Sequence, residues 1–517
     1  MKRLLTIGLF VMLAVVTASS QQRIPCVRHI QGATTRGYYV LPEPITQWDA
    51  QRTYRVPVVL ITFKDCEFSM SDPVAYYRRL FNEEGFNEGK GKGCVADYFL
   101  EQSGGLCHLQ FDIYGPIQVD TTAHYPSGNY GDYSVEQALK QLSATTDADF
   151  SVYDWTGDGA VNQVVFVAAG YTGNSVTGYI WPNTCHTYWK APGNLSIQMT
   201  SISCEKWGDD RLCGIGTIVH EFSHCLGLPD IYPTSGSLFS VVDEWDLMDG
   251  GNYTNYGWCP PNFSTMEKMF LGWANPTELK SSTTITGMKP VSEGGETFII
   301  RNSAYKDEFY LLENRKQTGW DYGTPGNGLL IFHVDYDYGR WCDNNVNGSQ
   351  NHLLYSLIAA DNKSYRDWDP RNDGKDPNKW TMSDRLRNKY LSTAPYPCFN
   401  EETTLIINQS LTDESIPSSM VYKGYQVVVG VDKDGKDIME WHEGNLSKPI
   451  TNIQVASDGS VSFDFMKEPT SIREALFEEQ GVEIWYDLHG HQLPEVPRQS
   501  GIYILRGQNG KTKKIIK

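Results

Sequence analysis

Several functional motifs are missing from this sequence. It has no glycine-rich phosphate loop, no nucleophile elbow and no stripe of aromatic and basic residues. Nothing therefore points to a nucleotide-binding protein, a serine hydrolase or a nucleic-acid-binding module. Basic charge is also scarce, since 44 Lys and Arg face 62 Asp and Glu, for a formal net charge of −18. Such an acidic chain argues against nucleic acid or an anionic membrane surface as its partner.

No two cysteines are spaced as a CxxC pair, which argues against a structural zinc–thiolate cluster. The chain has 11 cysteines, an odd number, so at least one is expected to lack a disulfide partner. The closely spaced Cys94/Cys107 and Cys204/Cys213 are candidate pairs in an oxidising compartment. Cys26 suggests a different role, because its thiolate could block a metal site and keep an enzyme latent. A disulfide or an idle thiol is the simpler interpretation of Cys26.

Long apolar runs are absent after the first twenty residues, so no membrane span is expected in the mature chain. Residues 1–20 combine Lys2 and Arg3 with an apolar run through Val16 and small residues near the end. This pattern predicts a secretory signal peptide. We therefore expect a soluble protein that is secreted or held at the cell surface. Residues 21–51 form an N-terminal segment and a candidate pro-segment.

The most informative stretch contains His220, Glu221 and His224, followed by Gly227 and Asp230. In a helix, residues four apart lie on the same face, so both imidazoles can reach one metal ion. Glu221 can reach a water molecule on that ion and act as a general base. Gly227 suits a helix end and lets the chain return, which makes Asp230 the natural third ligand. The pattern predicts a zinc-dependent hydrolase.

Other residues near this motif are alternatives or additions. Asp243 and Glu244 are rivals for the third ligand position. Met248 lies in a glycine-rich turn after the helix and is expected to form an apolar floor, or Met-turn, beneath the zinc ligands. Tyr253 and Tyr256 follow, and either phenol could donate a hydrogen bond to the developing oxyanion or simply pack as an aromatic residue.

A second metal is suggested by the segment that begins at Asp154. Oxygen-bearing side chains stand at the first, third and fifth positions of a calcium-type loop, namely Asp154, Thr156 and Asp158. The acid expected at the twelfth position is missing, because Val165 stands there. Calcium binding competes with the simpler interpretation of a polar turn that leads into a strand.

Hydrophobic patterns divide the chain into regions. Strands and helices alternate before the metal motif, which predicts a mixed catalytic domain over residues 52–275. A β-rich accessory region is predicted over 276–466, interrupted by a polar loop at 361–384. Residues 467–517 are expected to form a small β segment. The predicted early strands are Val56–Phe63, Leu109–Val119 and Gln163–Ala169, and the predicted helices are 71–81, Val95–Leu100 and Ser134–Leu142.

Several motifs resemble the immune inhibitor A family of secreted bacterial zinc metallopeptidases. The resemblance runs from Val58 to Phe465. Its motifs are Val58–Asp65, Asp149–Asp154 with Gly157–Gly159, His220–Tyr232, Trp245–Met248 with Gly250 and Gly251, Glu267 and Lys268 with Leu271–Trp273, Leu311–Arg315, and Gly326–Leu330. One departure is Ser223, where the family commonly has glycine.

The resemblance implies an α+β fold with a zincin-like catalytic domain, built from a mixed sheet and an active-site helix. It implies extracellular endopeptidase activity on protein or peptide substrates, with His220, His224 and Asp230 holding zinc and Glu221 acting as base. Some related enzymes also bind calcium. The C-terminal segment resembles the sorting tails of proteins exported by type IX secretion, so export machinery is a further expected partner. His491 stands where those tails usually carry a basic residue, and the segment is short.

Two other functions compete with a protease. A secreted binding protein or adhesin could use a protease scaffold that has lost its activity, but such scaffolds typically lose the glutamate or a ligand. A structural surface protein displayed by its tail would bind no zinc. The intact HExxH motif favours the enzyme.

Overall fold

The computed structural model describes most of the chain. The described residues are 27–29, 41–126, 131–234, 240–349, 351–364, 367, 391–400, 404–467, 484–486, 492–493, 497, 502–506 and 512–516. The predicted signal segment, Cys26, His491 and most of the polar stretch 361–384 lie outside these residues.

Helices and strands alternate in the first half of the chain, and strands dominate the second half. The α-helices in the described residues are α1 Pro73–Asn82, α2 Val95–Gln102, α3 Asp132–Thr145, α4 Gly216–Cys225, α5 Thr265–Phe270 and α6 Tyr338–Cys342. The strands are β1 Val27–His29, β2 Thr53–Thr62, β3 His108–Gln118, β4 Ala160–Tyr171, β5 Asn183–His186, β6 Lys190–Ala191, β7 Leu195–Lys206, β8 Thr277–Glu278, β9 Thr283–Met288, β10 Phe298–Arg301, β11 Glu308–Arg315, β12 Gly328–Asp335, β13 Tyr355–Leu357, β14 Cys398–Phe399, β15 Ile406–Asn408, β16 Met420–Val431, β17 Asp437–Asn445, β18 Ile450–Val455, β19 Val461–Phe465, β20 Ile484–Tyr486, β21 Gln492–Leu493, β22 Ile502–Arg506 and β23 Thr512–Ile516. Mixed sheets with few helices are consistent with the predicted α+β class.

The largest sheet is mixed and has the order β1-β5-β7-β4-β2-β3, with β6 paired to β7. The β2–β3, β2–β4 and β4–β7 pairs are parallel, whereas β5 and β6 run antiparallel to β7. Val58 and Leu60 of β2 join a core that also contains residues of α1, α2 and α4. Val59 and Ile61 join a second core with residues of α3. Since helices cover both faces, β2 is apolar and buried from Val56 to Ile61, as its sequence predicts.

The early elements agree with the sequence prediction, but four strands, β1, β5, β6 and β7, were missed. The predicted strands correspond to β2, β3 and β4, and the predicted helices to α1, α2 and α3. β5 and the 12-residue β7 were not predicted. Strand β7 contains the buried polar residues Thr200, Ser201 and Ser203. Its hydrophobic pattern is therefore too weak to predict a buried strand from the sequence.

Helix α4 carries the metal motif and lies against β7 and a 3₁₀ segment at Gly251–Gly257. A Cβ on Gly216 would come within 2.1 Å of the Asn252 carbonyl oxygen, so the first turn of α4 needs a glycine. The helix ends at Cys225, and Gly227, two residues later, has a left-handed φ of +101°. The N–H of Leu228 then donates to the Ser223 carbonyl. The predicted glycine stop is therefore confirmed, and the chain reverses direction directly after His224.

A second sheet, in the order β13-β12-β11-β10-β8, packs into the same core as α4. Phe222 of α4, Leu311 of β11 and Phe332 of β12 belong to one buried cluster. The chain up to Phe465 forms one compact unit, and Met466–Lys517 form another. The predicted boundary after residue 275 falls inside the first unit, because both regions share this core. A functional division into catalytic and accessory regions stays a prediction.

Arg315 forms a buried ionic cluster that links β11 to the segment before α5. Its guanidinium donates to Glu313 Oε1 at 2.8 Å, to Asp321 Oδ1 at 2.8 Å and to the Asn262 carbonyl at 3.2 Å. Glu313 Oε2 in turn accepts from the backbone N–H and the hydroxyl of Thr265. The side chains of Arg315, Glu313 and Asp321 are fully buried. A buried arginine is tolerated here because two carboxylates and a carbonyl surround it.

Smaller sheets complete the first unit: β14-β15, β16-β17 and β18-β19-β9. In the second unit, the described strands form an antiparallel sheet in the order β21-β20-β22-β23. This agrees with the predicted small β segment; its role in sorting stays a prediction. In the described part of the chain, none of the helices has the length and apolar character that crossing a bilayer requires.

The candidate cysteine pairs are not bonded in the structure. Cys94, Cys107, Cys204 and Cys213 are all thiols. The sulfur of Cys94 accepts a hydrogen bond from the N–H of Asp97 at 3.3 Å and so caps α2. Cys204 donates to the Ile180 carbonyl at 3.4 Å. Cys94 and Cys204 thus have hydrogen-bond partners other than the neighbouring cysteine.

Candidate metal centre

Helix α4 presents His220 and His224 on one face, with each imidazole held by a backbone carbonyl. His220 Nδ1 lies 2.9 Å from the Leu247 oxygen, and His224 Nδ1 lies 2.7 Å from the Leu228 oxygen. A carbonyl oxygen can only accept, so each Nδ1 carries a proton and donates it. In the neutral imidazoles, the Nε2 lone pairs are consequently available for a metal ion.

Asp230 completes a group of three buried donors. Its Oδ1 lies 3.4 Å from His220 Nε2 and 3.2 Å from His224 Nε2. One ligand atom from each residue lies within 4.8 Å of the others, and all three residues are buried. Among the described residues, this is the only such group of three or more histidine, cysteine or acidic side chains.

The three facing atoms lack hydrogen-bond partners. His220 Nε2, His224 Nε2 and Asp230 Oδ1 are buried without a partner among the described residues. Burial alone would raise the pKa of Asp230, but positive charge on the facing imidazoles of His224 and His220 outweighs it and holds that pKa well below its ordinary value. A divalent cation between neutral imidazoles would act in the same direction. The carboxylate therefore stays ionised. Two neutral nitrogens and one carboxylate oxygen, otherwise unsatisfied, fit a divalent cation such as zinc.

The turn that contains Met248 holds two of the three donors in place. Leu247 supplies the carbonyl that orients His220. The Met248 carbonyl accepts from the N–H of Ile231, which follows Asp230 directly. The Met248 N–H donates to Asp246 Oδ1 at 2.8 Å. Met248 is fully buried in the core beside α4, and its role as a floor beneath a metal ion stays a prediction.

Glu221 is almost fully buried, with 1% of its surface exposed. The hydroxyl of Thr184, in β5, lies 2.9 Å from Glu221 Oε2 and 2.8 Å from the Glu221 carbonyl oxygen. Thr184 is itself fully buried. Strand β5 thus brings a hydroxyl to the acid that follows the first histidine.

The rivals for the third ligand lie elsewhere in the turn. Asp243 and Glu244 are both buried but are not part of the three-residue group. The N–H of Asp243 donates to Asp249 Oδ2 at 2.9 Å. The geometry therefore brings Asp230 to the two histidines rather than Asp243 or Glu244.

The two tyrosines occupy the 3₁₀ segment that packs against the start of α4. Tyr253 makes an edge contact with Trp207 and accepts a hydrogen bond from Asn174 at 3.3 Å. Tyr256 has a left-handed φ of +58°. The guanidinium of Arg211 lies 3.6 Å from the centre of the Tyr256 ring. An oxyanion role for either phenol stays a prediction.

The proposed calcium loop is a turn with hydrogen-bonded carboxylates. The oxygens of Asp154 accept from the backbone N–H groups of residues 157–159. Thr156 contacts the same carboxylate, and Asp158 accepts from the side chain of Gln198 at 2.8 Å. These contacts fit the simpler interpretation of a polar turn that leads into β4. Calcium binding is not supported.

Two contacting residues escaped the sequence analysis. Thr184 lies in the unpredicted strand β5. Asn344 follows α6 and donates from Nδ2 to Asp230 Oδ2 at 2.8 Å. Neither belongs to a motif or a periodic pattern, and Asn344 is separated from Asp230 by 114 positions. Only the folded arrangement could reveal them.

Comparison with known proteins finds a peptidase-like segment around this site. Residues 196–274, which include α4, Asp230 and Met248, match the family model described as "Immune inhibitor A peptidase M6, catalytic domain". This segment is similar to a metallopeptidase catalytic domain. It is 25% identical over 250 residues to Immune inhibitor A of Bacillus thuringiensis subsp. alesti, covering 40% of this chain and 36% of the relative. It is 24% identical over 275 residues to Pre-pro-metalloprotease PrtV of Vibrio cholerae serotype O1 (strain M66-2), covering 43% of this chain and 30% of that relative.

These likenesses support the resemblance to the immune inhibitor A family. The chain spans about a third of the length of the relatives it matches, 36% and 30%. The matched family segment leaves out most of the β-rich half. The type IX tail is not supported by these comparisons.

Proposed function

We propose that this protein is a secreted zinc-dependent endopeptidase that hydrolyses peptide bonds of extracellular proteins. The observation that carries the proposal is the convergence of His220 Nε2, His224 Nε2 and Asp230 Oδ1, all buried and otherwise without hydrogen-bond partners in the described residues. Burying such atoms is costly unless a partner satisfies them. A divalent cation would satisfy all three at once.

The donor set favours zinc over calcium or magnesium. Zinc binds imidazole nitrogen and carboxylate oxygen in sites with few protein ligands, whereas the two harder cations prefer oxygen. Three protein donors would leave a position for water and substrate. When bound, zinc supplies a Lewis acid that polarises the scissile carbonyl and increases the acidity of water.

Glu221 is the proposed general base. Its carboxylate would accept a proton from the water that attacks the scissile carbonyl carbon. The same group would then pass the proton to the nitrogen of the leaving amine. Thr184 supports this role, because its hydroxyl contact with Glu221 Oε2 fixes the direction of the carboxylate. Burial of Glu221 limits competing contacts with solvent.

The location and partners follow from the sequence. The signal-like residues 1–20 support export, and the acidic net charge of −18 argues against nucleic acid as a partner. Protein or peptide substrates fit the metallopeptidase match. We propose a secreted or cell-surface location, with the C-terminal segment as a candidate contact for export machinery.

A Glu221→Gln variant tests the proposal. Glutamine keeps the shape of the side chain but cannot accept the proton, so we expect zinc content and folding to be preserved while cleavage of casein or gelatin falls by at least about a hundredfold. Wild-type cleavage should also stop with a chelator and return when zinc is added. A Glu83→Gln variant on the exposed end of α1 is the matched control and should cleave normally. Full activity in Glu221→Gln would refute the mechanism, and a wild-type chain that never cleaves protein would favour a binding protein on an inactive scaffold.

A further inference from the structure

Asn344 makes a two-point contact with Asp230. Its Nδ2 donates to Asp230 Oδ2 at 2.8 Å, and its Oδ1 accepts from the Asp230 backbone N–H at 2.6 Å. Both residues are buried, with 3% and 0% of their surface exposed. We infer that Asn344 is a positioning residue that fixes Asp230 as the third metal ligand. The inference rests on the proposed metal site and assigns it a component from the β-rich half of the chain.

The two oxygens of the Asp230 carboxylate have different partners. Oδ2 of Asp230 is held by the amide of Asn344, while Oδ1 faces the two histidines. Because the Asn344 amide is hydrogen-bonded to both the main chain and the side chain of Asp230, the carboxylate has little freedom to rotate. Oδ1 stays directed at the place where the Nε2 atoms converge. Such outer contacts orient metal ligands and typically change metal affinity by 10- to 100-fold when removed.

The position of Asn344 is itself fixed by the fold. Its φ is +51°, a left-handed conformation that asparagine adopts more readily than most residues. Its N–H donates to the Trp341 carbonyl at 3.2 Å, and its carbonyl accepts from the Thr234 hydroxyl at 2.8 Å. Trp341 is fully buried in the main core. The amide is therefore presented from a rigid turn.

The same turn binds the ligand segment at a second place. Asn347 donates from Nδ2 to the Ile231 carbonyl at 2.8 Å and to the Tyr355 carbonyl at 2.9 Å. Asn347 is as buried as Asn344 but has its hydrogen bonds to main-chain groups rather than to the Asp230 carboxylate. It therefore offers a matched control that disturbs the docking of the turn and leaves the amide on Asp230 in place.

The experiment compares Asn344→Gly, Asn347→Ala and wild type as full chains. Glycine keeps the left-handed backbone while removing the amide. Zinc affinity is measured by competition with a chromogenic chelator, and the ligand geometry is followed by the visible absorption bands of the cobalt-substituted protein. We expect Asn344→Gly to weaken zinc affinity by about 10- to 100-fold and to change the cobalt spectrum. Asn347→Ala should lower the thermal midpoint of the metal-free chain but change zinc affinity less than threefold, with an unchanged cobalt spectrum.

The outcomes separate this inference from the proposed function. If wild type binds zinc and Asn344→Gly binds it equally well with the same cobalt spectrum, the positioning role is overturned and the protease proposal stands. An equal loss of zinc affinity in Asn347→Ala would also overturn it, because general loosening of the turn would then be sufficient. A wild-type chain that binds no zinc would overturn the metal site itself.

If Asn344→Gly does not fold, Asn344→Asp serves as the second variant. Aspartate keeps an oxygen that can accept from the Asp230 N–H but removes the donor to Oδ2. We expect the same loss of zinc affinity and the same spectral change. Wild-type zinc affinity in Asn344→Asp would contradict the inference.

Discussion

Replacing Arg315 by methionine should destabilise the protein severely, although the residue lies outside the segment that matches the peptidase family. Methionine fills much of the arginine volume but carries no charge and no donors. The change leaves the carboxylates of Glu313 and Asp321 buried without their cation, since all three side chains are fully buried in the structure. Removing one partner of a buried ion pair typically costs about 3–5 kcal/mol.

The magnitude follows from the contacts that are lost. Arg315 makes hydrogen bonds to two carboxylates and to the Asn262 carbonyl. Thr265 and the N–H of Asn262 would still donate to the carboxylates. We therefore expect a loss near the lower end of that range, about 3 kcal/mol. Arg315→Lys should be intermediate, because a lysine keeps the charge but cannot bridge both acids with a planar fork.

Urea unfolding of zinc-saturated protein, followed by tryptophan fluorescence, measures the effect. The fully buried Trp245, Trp320 and Trp341 report on this part of the core. The triple variant Arg315→Met, Glu313→Gln, Asp321→Asn removes the three charges of the cluster and should recover much of the lost stability. A single variant that loses less than about 1 kcal/mol, or a triple variant as unstable as the single one, would refute the reasoning.

Three further predictions concern the site. Zinc at a thousandfold excess over its Kd stabilises the folded state by about 4 kcal/mol. A chelator should therefore lower the thermal midpoint measured by calorimetry. An unchanged midpoint would count against a metal ion at this site. Thr184→Val removes the hydroxyl that contacts Glu221 and should lower kcat about 10- to 100-fold with little change in KM. Thr184→Ser keeps a hydroxyl and should have kinetics near those of wild type. Equal kinetics for the two variants would contradict a role for the hydroxyl. Burial raises the pKa of Asp246 to about 6 and, together with Asp246, raises that of Glu267. The folded state then holds a proton that the unfolded chain releases, so the free energy of unfolding of wild type relative to Glu267→Gln should fall as pH rises from about 4 to about 6; parallel curves in urea titrations would show the pair to be uncoupled.

The sequence was informative where one local pattern determines the geometry. The spacing of His220 and His224 on an apolar helix, with Gly227 at its end, was enough to predict α4 and its abrupt stop. The return of Asp230 followed from the same turn, and the structure brings its carboxylate to the two histidines. Local chemistry is sufficient in these cases because few residues separate the partners.

The sequence was uninformative where contacts cross the fold. Strand β7 carries buried polar residues such as Ser201 and Ser203, so hydrophobicity did not reveal it. Strand β5, which pairs with β7, was not predicted either, and it places Thr184 next to Glu221. At Asp154 the sequence instead suggested a site that the structure does not support. The residue types fit calcium, but the oxygens of Asp154 accept hydrogen bonds from backbone N–H groups. Such outcomes depend on tertiary partners that no single segment encodes.

The distance along the chain between Asp230 and Asn344, 114 positions, has a consequence for the biosynthesis of this protein. Contacts between remote residues form late, since a long loop must close before they contribute any stability. A growing polypeptide leaves the ribosome with its two histidines and its glutamate well before the asparagine has been translated. During that interval the Asp230 carboxylate would lack the amide that holds it, so a nascent chain would not yet have its proposed third metal ligand fixed in place.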